Sequence, residues 1–61
     1  MPNDDLEATS YREEYVRGYK DGFRSVQGNV VVPIAPVVGG VAGLSRYDQG
    51  FADGVKDAGQ R

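Results

Sequence analysis

The sequence predicts an all-α fold: two short, glycine-rich amphipathic helices in a helical hairpin, joined by an extended Pro/Val/Gly linker and completed by homo-oligomerisation. Three observations predict it. A ten-residue motif occurs twice, Tyr15–Arg24 and Tyr47–Lys56, at an offset of 32 residues. Both copies carry aromatic residues and glycines at helical spacing. Between them lies an uncharged, proline-punctuated stretch, Asn29–Gly43.

The two copies share Tyr15/Tyr47, Gly18/Gly50, Asp21/Asp53 and Gly22/Gly54, with Tyr19/Phe51, Phe23/Val55 and Arg24/Lys56 conservatively matched. The common pattern is YxxG[YF]xDG[FV], an internal repeat. Tyr15, Gly18, Tyr19, Gly22, Phe23 and Val26 fall at i, i+3, i+4, i+7, i+8 and i+11. Tyr47, Gly50, Phe51, Gly54, Val55 and Ala58 fall at the same offsets, so one face of a 3.6-residue period is drawn twice. Ser10-Tyr-Arg-Glu13 has the form of a capping box, and Ser45-Arg-Tyr-Asp48 is a weaker version. Gly28-Asn29 and Gly59 are the matching stops. This places antiparallel helices near residues 10–27 and 45–59, within one helix–linker–helix domain spanning residues 10–61. The rival reading is a β-hairpin turned at the repeated Asp-Gly, but alternation around those turns is poor.

Gly18, Gly22, Gly50 and Gly54 each cost about 1 kcal/mol relative to alanine inside a helix. They share a face with the aromatics, including Phe23 and Phe51, so close helix packing is the expected return. GxxxG beside large rings gives a groove flanked by knobs. The alternative is that the glycines make room for a ligand or for the linker. In the linker, Pro33 and Pro36 favour extended or polyproline backbone. A run this apolar is an aggregation hazard if left in water, so it is expected to cross the helix pair or to meet a second copy.

With 61 residues, such a chain buries only about 60% of its unfolded surface. Cysteine and histidine are both absent, removing disulfides, thiolate metal sites and the commonest general base. Nine acids against seven bases argue against coating a nucleic-acid polymer. The acids concentrate early: Asp4, Asp5, Glu7, Glu13 and Glu14 stand against Arg12 in the first fourteen residues. Residues 1–9 therefore read as an acidic N-terminal segment, either a solvated tail or a helix start. The apolar core, Val30–Leu44, is too short and too broken by proline and glycine to span a bilayer. The lack of cysteine fits a reducing, cytoplasmic compartment.

For chemistry the inventory is thin. The serines and Thr9 sit in no nucleophile elbow or SxxK spacing, and no phosphate-binding glycine loop occurs. Asp21 and Asp53 are a candidate carboxylate pair or hard-cation site; capping or pairing with a neighbouring base is their plainer role. No enzyme activity, cofactor or metal is expected. Arg17, Lys20 and Arg24 fall within about 60° of each other on a helical wheel, opposite the Tyr/Gly face. A solvated face, with Glu13 pairing to Arg17, explains this stripe plainly. An anion site is the sharper reading: Arg17, Lys20, Arg24 and Arg46 would hold a phosphate, and Tyr15, Tyr19 and Tyr47 would offer ring faces to a base.

Gly18-Tyr19…Gly22 and Gly50-Phe51 around a proline-containing linker resemble ribosome modulation factor, a bacterial ribosome-hibernation family of similar length. The chain has neither the strongly basic character nor the central Cys-Pro-Tyr of that family. The paired YxxG[YF]xDG copies also resemble short phage-encoded proteins. Two functions are thus expected: a small non-enzymatic homo-oligomer that binds or sequesters a small anionic or nucleotide-like ligand, or a module that docks on and modulates or inhibits a larger host complex.

Overall fold

The computed structural model describes the backbone of residues 3–60 and the side chains of residues 11–60. It contains two helices, α1 (Asn3–Gln27) and α2 (Arg46–Gly59), packed against each other, with no strand among the described residues. The repeat therefore folds as helix, and the β-hairpin alternative is set aside.

Helix α1 begins at Asn3 rather than at the capping box, so Ser10 lies inside the helix. A capping box marks where a helix can start, not where it must, and the helical backbone here continues upstream of Ser10 through residues 3–9. At its other end Gly28 takes φ +84° and donates its N–H to the Arg24 carbonyl at 2.7 Å. Only glycine enters that left-handed region at no steric cost. Ser45 caps α2 as expected, its hydroxyl accepting from the Asp48 N–H at 3.0 Å. The helix runs through Gly59 and closes at Gln60.

The glycines mark where the helices touch. A Cβ built at Gly18 would collide with the Tyr47 carbonyl, and one at Gly22 with the Phe51 carbonyl. Reciprocally, a Cβ at Gly50 would strike the Tyr15 carbonyl and one at Gly54 the Tyr19 carbonyl. Close backbone approach is what the four glycines provide.

These contacts also fix the helices' sense. Gly18 meets Tyr47 and Gly22 meets Phe51; Gly50 meets Tyr15 and Gly54 meets Tyr19 and Phe23. Positions rise together along both helices, and near their ends Gln27 Nε2 donates to the Ala58 carbonyl at 3.0 Å. The helices are parallel and in register, which corrects the antiparallel expectation. The linker makes this possible. It must return along α1 by about 20 Å at 1.5 Å per residue before α2 starts, and residues 28–45 cover that easily in an extended form at about 3.1 Å per residue.

Two parallel copies of one motif, in register, are related by a pseudo-twofold axis running along the pair. The axis gives the helix layer two equivalent faces, one flanked by Tyr15, Tyr19 and Phe23, the other by Tyr47, Phe51 and Val55. The linker covers the first. Ala35 is buried with Tyr15, Tyr19, Phe23 and Ala58, and Val30 and Val32 pack on that cluster.

Candidate functional site

The pseudo-twofold axis explains why each repeat carries both a tyrosine and an aspartate. Tyr15 donates its hydroxyl to Asp53 Oδ2, and Tyr47 donates to Asp21 Oδ2 at 2.5 Å, so each repeat's tyrosine bonds the other's aspartate. Tyr19 adds a third bond, to Asp57 Oδ2 at 2.6 Å, which Phe51, lacking a hydroxyl, cannot mirror. Burial, the hydrogen bond to Asp53 and the nearby carboxylate charge push the Tyr15 hydroxyl's pKa well above its ordinary 10.0. The Asp21 bond, followed by partial desolvation, raises that of Tyr47.

Asp21 and Asp53 are thus spent on opposite faces as tyrosine acceptors, so the carboxylate-pair and hard-cation readings lose their geometry. Among the described residues no group of three potential ligands gathers around a metal position. Tyr15 and Tyr19, expected as stacking faces, are each 2% exposed and belong to the core. Their spacing to the glycines is what buries them: the close approach of the backbones folds both rings against α2. Their rings lie 6.4 Å apart, and Tyr19 and Phe23 are 6.1 Å apart. Tyr47 stays partly open beside Phe51, at 6.3 Å.

The basic residues separate into two groups. Arg17, Lys20 and Arg24 remain on the outer side of α1, all exposed, and Arg24 Nε reaches the Val30 carbonyl at 3.4 Å. Among the described residues no ion pair joins Glu13 to Arg17, so the plain pairing expected of that stripe is not made. Arg46 lies apart from the stripe, its guanidinium carbon 5.5 Å from the centre of the Tyr11 ring. Arg46 opens α2 beside the end of the linker, whereas the stripe follows α1's solvent side.

Sequence reasoning missed Arg12. Its Nη1 donates to the Pro36 carbonyl at 2.6 Å and its Nη2 to the Ala35 carbonyl at 2.8 Å. The same guanidinium stands 5.9 Å from the Tyr15 ring centre. It clamps the returning linker onto α1, with Gln49 Nε2 holding the Gly39 carbonyl at 2.7 Å farther along. The one available signal was a lone base within an acidic stretch, three residues before a repeat tyrosine.

Arg12 and Arg46 meet in a groove of about 250 Å³ lined also by Tyr11, Tyr15, Val37 and Val38. It is open on one side and combines two guanidinium groups with aromatic and aliphatic walls. Gly40 leaves room for the Arg46 head, since a Cβ there would come within 2.9 Å of it. Neither arginine is paired with a carboxylate among the described residues. A second groove, bounded by Arg12, Glu13, Val16, Arg17 and Lys20, follows the basic stripe. No helix among the described residues is long and apolar enough to cross a membrane. No protein-family model, curated protein or solved structure matches this chain.

Proposed function

We propose that this chain is a small non-enzymatic binding protein that works as a homo-oligomer and sequesters a small anionic, nucleotide-like ligand in the Arg12–Arg46 groove. The observation that carries the reading is the Arg46 guanidinium, laid over Tyr11 at the groove's edge with no carboxylate partner among the described residues. A planar guanidinium matches phosphate oxygens in a two-pronged way, and the tyrosine beside it gives a face for a base. At about 250 Å³ the groove falls just below the usual range of roughly 300–1,000 Å³ for small-molecule sites.

The test is calorimetric titration with AMP, GMP, UMP and inorganic phosphate, alongside native mass spectrometry of protein purified from cells. The expected result is saturable binding of at least one probe, weakened tenfold or more by Arg46→Gln. Failure of every probe to bind at millimolar concentration, with no retained anion, would remove the ligand reading. The alternative, docking on a larger host complex, draws on the linker's apolar outer side. Val31, Ile34 and Val37 are 95%, 93% and 88% exposed.

A further inference from the structure

The two faces of the helix layer are built from matching residues. On the covered face the helices contribute Tyr15, Tyr19, Phe23 and Ala58 to the core. Shifted by the repeat offset, the same positions are Tyr47, Phe51, Val55 and Val26. These form the opposite face, where Val26 is 48% and Phe51 36% exposed. One member of this equivalent pair is sealed by an extended Val/Pro segment, and the other carries no cover from the linker among the described residues.

The linker carries the matching piece. Polyproline backbone turns once every three residues, and with Pro33 and Pro36 in the run its side chains divide accordingly. Val32 and Ala35 turn inward onto the covered face, whereas Val31, Ile34 and Val37 form an outward ridge of nearly full exposure. Ridge and inner side are both uncharged and apolar, Val31, Ile34 and Val37 being spaced by three as Val32 and Ala35 are.

We infer that the outward ridge Val31–Ile34–Val37 of one copy seats on the Val26–Tyr47–Phe51–Val55 face of a second copy, as residues 30–35 seat on the equivalent face within the chain. The inference rests on the homo-oligomer of the proposed function and specifies its interface. Ridge and face lie on opposite sides of the helix layer, because the pseudo-twofold axis carries one side onto the other. The contact is therefore head-to-tail: two copies cannot satisfy both of their interfaces mutually, and assembly proceeds to a ring or stack.

Head-to-tail contacts permit a decisive experiment. Ile34→Lys disables the ridge and leaves the face intact; Phe51→Lys disables the face and leaves the ridge intact. Ile34 is 93% exposed, so its replacement leaves the core untouched. Val26→Lys serves for the face if Phe51→Lys loses helical circular dichroism. By sedimentation velocity, the parent should be larger than a dimer and each variant alone a monomer. An equimolar mixture of the two variants should form a 1:1 dimer through its one intact ridge–face contact. A mixture that stays monomeric, or an Ile34→Lys variant that keeps the parent's size, overturns the head-to-tail arrangement while leaving a homo-oligomer standing. A monomeric parent overturns both. Nucleotide titration of monomeric Ile34→Lys tests the groove separately, since Ile34 is not among the groove's residues.

Discussion

The Tyr15–Tyr19–Phe23 face and the Tyr47–Phe51–Val55 face come from the same motif, yet they meet different surroundings. The first has rings 1–2% exposed beneath the linker; the second leaves Phe51 36% exposed. Helical periodicity is the same in both, so it does not set the difference. What does is the direction in which the chain returns, along the α1 side, held by Arg12 on the Ala35 and Pro36 carbonyls. A repeat therefore specifies the helix pair, and a non-repeated clamp specifies which face becomes core.

The largest effect is expected where the faces do not differ. Gly22→Leu and Gly54→Leu should each destabilise by about 3 kcal/mol or more, the upper end of overpacking, because the new side chain meets backbone carbonyls that cannot rotate away. Equal losses in chemical denaturation fit the shared interface; a higher melting temperature for either variant would break it.

The next prediction separates the faces. Phe23→Ala should cost about 3–5 kcal/mol, as for a fully buried ring, and Phe51→Ala clearly less in dilute solution. Equal losses at low concentration would mean that the linker does not distinguish the two sides.

The tyrosine pairs sharpen the comparison further. Tyr15→Phe removes a hydrogen bond to a carboxylate in a mostly buried setting, expected to cost about 1.5–3 kcal/mol, and Tyr47→Phe should cost less. Because the folded pKa of Tyr15 is raised above 10.0, its contribution is complete below that pH and is lost as pH rises toward the folded value. Stability should accordingly fall above pH 10, and Tyr15→Phe should flatten that fall more than Tyr47→Phe. Tyrosinate absorbance during alkaline unfolding reports both.

The smallest effect belongs to a glycine outside the interface. Gly59 has no atom within 4 Å of a built Cβ, so Gly59→Ala should be neutral or stabilising by up to about 1 kcal/mol.

Much of this architecture is legible in the sequence. Six matching offsets mark both helices, Ser45 and Gly28 mark ends, and GxxxG beside aromatics marks the packed face. Helix direction is not legible, because residues 28–45 are long enough to serve either sense and the hydrophobic period carries no polarity. The start of α1 was ambiguous because an acidic segment suits both a tail and the positive end of a helix. The fate of Tyr15 and Tyr19 depended on that direction too: parallel register brings each repeat's tyrosine to the other's aspartate, so the rings that looked available for a ligand became core. The candidate groove is not legible because Arg12 and Arg46 are distant in sequence and meet only when the parallel register sets the start of α2 beside Tyr11.

The central claim is that the two repeats pair in parallel, in register, through their glycines. Nuclear Overhauser contacts from the glycine α protons test it most directly in isotope-labelled protein. The account predicts contacts from Gly18 to Tyr47 and from Gly54 to Phe23. Contacts from Gly18 to Val55 together with Gly54 to Tyr15 would show an antiparallel pair and contradict it.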